Sequence, residues 1–290
     1  MSEKIFKKGA RENYTQIRGR VLASQSNGVA CEVIVQTCRP DREIGDGKIT
    51  DEFIEISIAS KNAEQVAKMA TWKENDIVNV TGSLNVMIAK KVGFCKFCGK
   101  QLFTLDRQAV SRRRPYINPA TIEKLGNYSN DKDCIDYLLD SNVKPLSNQF
   151  WGAGQLKEAP KVISNSSKNL MVSFPLIVPR SRFIAEDSPE VTLDVLYINC
   201  YGANAQSAQK YLVAGSEVDI FGFLKNREYT EEITCECGKV SSIKQMTMYV
   251  DAIRIDFRAD CKNDEILERE KNKKLDEFKK KYVKEENDDT

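Results

Sequence analysis

Two short cysteine clusters are the residues whose types and spacing most directly imply chemistry. The first is Cys95-Lys96-Phe97-Cys98-Gly99-Lys100 and the second is Cys235-Glu236-Cys237-Gly238-Lys239. In Cys-x-x-Cys-Gly, a tight turn points two thiolates at one ion while glycine lets the backbone curl. One pair supplies half of a tetrahedral set. The sequence contains no histidine, so four cysteines are the natural complement for zinc. One zinc shared by Cys95, Cys98, Cys235 and Cys237 is the leading expectation. Separate sites completed by another chain, or free or redox-active thiols, are the other readings, Cys-x-Cys being the weaker half. Cys31, Cys38, Cys134, Cys200 and Cys261 read as ordinary buried or partly buried thiols.

The missing histidine also closes every mechanism that needs an imidazole as base, triad member or ligand. No phosphate-cradling glycine loop and no paired acids at a metal-nuclease spacing occur, so an enzyme is not expected. Lys and Arg total 44 against 42 Asp and Glu, a net charge of +2 that neither demands nor excludes a nucleic-acid partner. Local clusters such as Arg112-Arg113-Arg114 matter more, although such a run is also a common solvated surface.

The elements that must position these residues come as a degenerate repeat. SIASKNAEQVAKMATWKENDIVNVTGSL runs from Ser57 to Leu84, and INCYGANAQSAQKYLVAGSEVDIFGFL from Ile198 to Leu224. Both predict a strand end, a short helix, a turn and a strand closing in Gly-x-Leu. Ala63, Val66 and Ala70 recur at helical spacing, as do Ala205, Ala208 and Leu212. Asn75 and Gly215 suit the turns that follow.

Upstream, GRVLASQ from Gly19 matches GQLKEAP from Gly154, each followed by an apolar strand, VACEVIVQTC or LMVSFPLIV. The third strands, DEFIEISIA and TLDVLYINC, alternate, with Ile54, Ile56 and Ile58, and Leu196, Ile198 and Cys200, on one face. Long hairpins follow Gly82 and Gly222 and close with QLFTLDRQAV and MTMYVDAIRI. Strand, strand, strand, helix, strand, strand, twice over, is the order of a mainly β fold of two tandem OB-type barrels. An open sheet with one helix per copy is the alternative.

The expected division is a first barrel at 12–114, a helical connector at 115–148, a second barrel at 149–258, and a charged C-terminal helix and tail at 259–290. Short helices are predicted at Ala120–Leu125 and Asp131–Leu139. The last helix has a thin apolar stripe, Leu267, Leu275, Phe278 and Tyr282. No apolar run is long enough for a membrane span, and the first residues lack the apolar core of a signal peptide, so a cytoplasmic location is expected.

The second copy resembles the bacterial-type single-stranded DNA-binding protein family over about Gln149 to Phe257. The resemblance rests on Gly154-x-Leu156 with Pro160, the strand around Phe174–Val178, and Tyr201-Gly202 before the helix. Tyr211-Leu212-x-x-Gly215-Ser216-x-Val218 and Gly222-x-Leu224-Lys225-x-Arg227 complete it. The first copy, about Tyr14 to Val110, matches more weakly. The resemblance implies an OB barrel on which bases of a single strand stack on aromatic rings while Lys and Arg follow the phosphates.

Carried over by position, the family's stacking sites fall on Tyr201 and on Tyr229 in the hairpin. Tyr197 lies on the same strand face as Tyr201. Lys225 and Arg227 precede Tyr229, and Arg180 and Arg182 leave the second strand. These tyrosines are also common half-buried sheet residues. The first copy departs from the pattern, with Phe53, Glu55, Ser57 and Ala59 on the equivalent strand and Ala89 at the hairpin position. That barrel would bind weakly, bind through Arg18, Arg20 and Arg112–Arg114, or serve architecture. The acidic tail ending in an aromatic residue is replaced by EENDDT.

The function implied is non-sequence-specific binding and protection of single-stranded DNA in replication, recombination or plasmid or phage transfer. Replication or recombination proteins, and a second copy of the chain, are further partners compatible with the resemblance. An OB-fold adaptor organising a replication or conjugation complex through protein contacts is the rival.

Overall fold

Period-two alternation of apolar and polar side chains builds almost all of the regular structure. The computed structural model describes residues 13–39, 52–88, 92–103, 113–166, 169–180, 193–263 and, in the C-terminal stretch, 265–266, 268–269, 271–273 and 276. Its first half runs β1 (Asn13–Ser26), β2 (Cys31–Arg39), β3 (Glu52–Ser60), α1 (Ala63–Met69), β4 (Asp76–Ile88), the short hairpin β5 (Val92–Phe94) and β6 (Gln101–Phe103), then β7 (Arg113–Asn127). After α2 (Asp131–Leu139), the second half runs β8 (Asn148–Leu156), β9 (Lys161–Ser166), β10 (Asn169–Pro179), β11 (Leu193–Tyr201), α3 (Gly202–Tyr211), β12 (Glu217–Thr234) and β13 (Val240–Ala259).

Hydrogen bonding passes from β1 through β2, β3, β7 and β4 back to β1, closing one barrel. The same circuit closes through β8, β10, β11, β13 and β12. In both, the parallel contact joins the strand before the helix to the last strand, Ile58 with Ile117 and Ile198 with Val250. The helices sit where the repeat predicts, burying Val66 and Met69, and Ala205 and Ala208. The chain then turns at Asn75 and Gly215, whose φ values are 67° and 90°.

Gly82 and Gly222 are required by a close approach. A Cβ would stand 2.2 Å from the Asn118 carbonyl oxygen at the first and 2.2 Å from that of Asp251 at the second. The register shifts at both places, letting a long strand bend around its barrel.

One sequence expectation is corrected. The strand closing the first barrel is β7, and it occupies the stretch expected to start the connector. The Ala120–Leu125 segment is therefore strand, while the helix at Asp131–Leu139 is present. ATIEKL has good local helix formers, but β4 offers a partner along its whole length, and pairing overrides that preference. Of the segment expected as the closing strand, Gln101–Phe103 forms β6 and 104–110 lies outside the described residues. The stripe Leu267, Leu275, Phe278 and Tyr282 also lies outside them.

The barrels join edge to edge. β1 and β8 pair antiparallel from Asn13–Gly152 to Ile17–Asn148, so Thr15 lies opposite Phe150. Those two residues stand equally far before the repeat glycines Gly19 and Gly154, which gives the pair an approximate twofold relationship. Asn13 and Asn148 obey it as well. The Asn13 amide donates to the Leu84 carbonyl at 3.0 Å and accepts from its N–H at 2.9 Å. Asn148 does the same to Leu224, at 2.9 Å both ways. Trp151 packs against Tyr14 at 5.5 Å and Phe221 at 5.1 Å between ring centroids, extending apolar contact across the seam.

Candidate nucleic-acid interface and metal centre

The outward face of β11 carries the candidate stacking residues. Leu196, Ile198 and Cys200 point into the core, which leaves Val195, Tyr197 and Tyr201 on the other face, half-buried. Tyr201 is the residue before α3, with extended backbone, and Gly202 after it has φ 56°. That turn stops the strand and holds the Tyr201 ring at its end. Tyr197 lines a narrow cleft between the barrels, facing Leu84, Val86 and Pro115 of the first.

Sequence reasoning missed Tyr249. It lies on β13 beside β11 and is 8% exposed, and its side chain hydrogen-bonds to that of Tyr201. Burial, followed by the effect of Tyr201, pushes its phenol above the usual tyrosine range. The signal is present in the alternation of MTMYVDAIRI, where Met248 and Val250 face in and Tyr249 faces out. Only the parallel pairing of β11 with β13 brings the two tyrosines together.

The cations divide into two groups. On the long hairpin, Lys225 is half-buried and Arg227 is exposed. The Tyr229 backbone continues that strand opposite Gln245, but its side chain is outside the described set. Arg180 differs from expectation: it is 7% exposed, with its guanidinium held by both Asp194 oxygens, at 2.8 and 3.1 Å, and by the Val86 carbonyl at 3.1 Å. Arg20 is similarly committed, at 8% exposure, to Gln36, Asn75 and Asp131. A guanidinium already neutralised inside the protein has little left for a phosphate. Arg18 is half-buried, and Arg114 pairs with Glu32 and contacts Ser57. Arg112, Arg182 and Ala89 lie outside the described residues, and only the backbone of Arg113, which opens β7, is described. On the equivalent face of the first barrel, Glu55 is exposed and Ser57 is buried.

The structure brings all four knuckle cysteines together. The sulfurs of Cys95, Cys98, Cys235 and Cys237 lie within 4.8 Å of one another. Cys95 is 3.8 Å from Cys237 and Cys98 is 3.5 Å from Cys235, sulfur to sulfur. A tetrahedral site with metal–sulfur bonds of about 2.3 Å has edges of about 3.8 Å, whereas a disulfide needs about 2.05 Å. The spacing suits a shared ion.

Each turn is built for this. The Cys95 N–H donates to the Lys100 carbonyl and the Gly99 N–H to that of Cys95, at 2.8 and 2.9 Å. In the partner turn, the Cys235 N–H donates to Lys239 and the Gly238 N–H to Cys235, both at 2.8 Å. Gly99 and Gly238 have φ values of 70° and 76°, a conformation that a side chain would strain. Leu102, Ile233 and Ile243 pack under the buried Cys95 and Cys235, leaving Cys98 and Cys237 outside.

The Ser241 hydroxyl donates to Cys95 at 3.5 Å and, with the backbone N–H of Phe97, draws that thiol down to about 6. The Cys237 N–H acts in the same direction on Cys235. There, burial and the surrounding sulfurs outweigh it and push the thiol up to about 12. Four sulfurs this close oppose one another's ionisation until a cation sits among them.

No protein family and no curated protein matches this sequence. Among solved structures, the fold is similar to that of the single-stranded DNA binding protein from Thermus aquaticus. A deletion variant of that protein covers 87% of this chain and 97% of its own, with a TM-score of 0.54 and 13% identity. The wild-type protein covers 85% and 93%, with a TM-score of 0.51 and 12% identity. The chain is a mainly β protein with the fold seen in those structures, and its four-cysteine cluster could hold a metal ion.

Proposed function

We propose that this chain is a non-catalytic, cytoplasmic protein of two tandem OB barrels that binds single-stranded DNA without regard to sequence. The observation that carries the reading is the half-buried pair Tyr197 and Tyr201 on the outward face of β11, in a fold shared along both barrels with a single-stranded DNA binding protein. Fold alone does not specify function. The tyrosines supply the chemistry, because every base has a flat face and stacking on it contributes about 1–3 kcal/mol. Lys225 and Arg227 follow the phosphates at the root of the hairpin, with Tyr229 beyond them. The first barrel, with Glu55 on the matching face, contributes less to stacking and more to architecture. Protection of exposed strands in replication, recombination or DNA transfer is the role that fits.

We assign one zinc ion to Cys95, Cys98, Cys235 and Cys237. Bound there, it ties the hairpin of the first barrel to that of the second and holds their orientation. A strand then meets one continuous path, which raises the effective concentration of the second contact once the first is made.

The test is fluorescence anisotropy of a labelled oligo-dT of about 30 nucleotides against a matched duplex, at two salt concentrations. Tight, salt-sensitive binding confined to the single strand is the expected result. Absence of binding at low salt refutes the reading and turns attention to an adaptor working through protein contacts.

A further inference from the structure

The geometry points to the cysteine knuckle as a nucleic-acid contact in its own right: Phe94 and Phe97 form a stacking platform for bases beyond the barrel faces, with Lys96, Lys100 and Lys239 at its rim. This deepens the single-strand reading above and rests on it.

Phe94 and Phe97 are each 65% exposed, the most exposed phenylalanines among the described residues, and Val240 beside the partner turn is 52% exposed. A small metal-binding turn could have kept its intervening residue polar. Here Phe97 lies between two candidate ligands, on a turn whose shape is held from below by Leu102, Ile233 and Ile243. Its ring is thus presented outward from a rigid base, and little conformational freedom remains to be lost on binding.

The charges select the partner. Lys96, Lys100 and Lys239 are exposed around the rings, and Glu236, 3.2 Å from Lys100, is the carboxylate that the turns themselves carry. Four thiolates on a divalent ion carry negative charge, which these lysines offset. What remains at the surface is flat apolar rings with ammonium groups beside them, which suits a base and its phosphate. One strand links this surface to the proposed interface. β12 runs from Lys225 and Arg227 to the knuckle, and the six residues from Tyr229 to Cys235 span roughly 20 Å of extended strand.

The experiment titrates the full-length zinc-loaded protein with oligo-dT of about 12 and about 35 nucleotides, comparing wild type with the double variant Phe94→Ala/Phe97→Ala. The expected result is a loss of about tenfold or more on the longer strand and less than twofold on the shorter one, with zinc content unchanged. A second variant, Phe97→Trp, should keep the affinity and show quenching by the longer strand beyond that of the native Trp72 and Trp151. Two results overturn the inference and leave the rings to a protein partner. One is unchanged affinity of the double variant on the longer strand. The other is no added quenching in the Phe97→Trp variant while it still binds. A wild type that binds neither strand refutes the proposed function itself, and the wild-type titration alone reveals that.

Discussion

Arg39, at the end of β2 in the first barrel, forms an ion pair with Asp251 on β13 of the second, and the two side chains are 5% and 1% exposed. The pair stands on the seam beside the β1–β8 junction, where Arg180 of the second barrel also reaches the Val86 carbonyl of the first. Asn226 likewise donates to the Glu55 carbonyl at 2.9 Å. Polar groups buried at a junction, as Arg39, Asp251 and Arg180 are, hold one geometry, because every alternative leaves them unpaired.

Removing one partner of that pair strands the other. Arg39→Met should destabilise the folded chain by about 3–5 kcal/mol. Adding Asp251→Leu should recover most of the loss, since the penalty lies in the uncompensated charge. Urea denaturation of wild type, both single variants and the double variant measures this directly. Additive losses in the double variant would count against the coupling.

One zinc per chain is the expected metal content, measured by elemental analysis of protein purified without added metal. Cys98→Ser and Cys237→Ser, the two exposed ligands, should each lose it. Chelation should open the hairpins to limited proteolysis while the barrels persist. A wild type purified with essentially no zinc would dismiss the centre.

Tyr201→Ala should weaken binding of oligo-dT by about 1–3 kcal/mol, the worth of one stacked base. Tyr201→Phe keeps the ring and gives up the hydrogen bond to Tyr249, so it should bind nearly as wild type does. Equal losses in the two variants would shift the role of Tyr201 from stacking to positioning through its hydroxyl.

Acid should loosen the first barrel through Asp76. This buried carboxylate would be raised by its burial, but Lys124, the Lys73 N–H and Asn127 outweigh that and hold it below the usual carboxylate range. A depressed group adds stability that is fully present above its unfolded value, about 3.9, and is lost as pH falls through the lower folded value. Asp76→Asn should therefore cost on the order of 1–3 kcal/mol at neutral pH. It should also flatten the decline of stability below about pH 4. A wild-type profile equally steep in the variant would place the acid sensitivity elsewhere.

Much of this is legible in the residues. The repeat shows itself because a half-buried strand must alternate, and because Gly82 and Gly222 stand where two backbones touch. The first cysteine cluster shows itself through its Cys-x-x-Cys-Gly spacing, and the second, Cys-x-Cys-Gly, through its matching place in the repeat. What stays hidden depends on partners distant in the chain. β7 escapes a local reading because Ala120–Leu125 favours helix until β4 is beside it. Arg180 and Arg20 read as open cations because nothing local announces Val86 or Asp131 across the fold. The pairing of β1 with β8 is equally silent: edge-to-edge registry leaves no periodic trace in either strand.

The sulfur contacts join residues 137 and 142 positions apart in the chain. An ion holding all four thus closes the stretch between the two hairpins into a ring that contains the junction strand β8. With such an ion in place, neither barrel would drift from its sister during partial unfolding, and β1 would meet its own β8 before that of a neighbouring molecule. Exchange of strands between chains, the ordinary hazard of an edge-joined pair, would then be disfavoured by topology before any contact energy is counted.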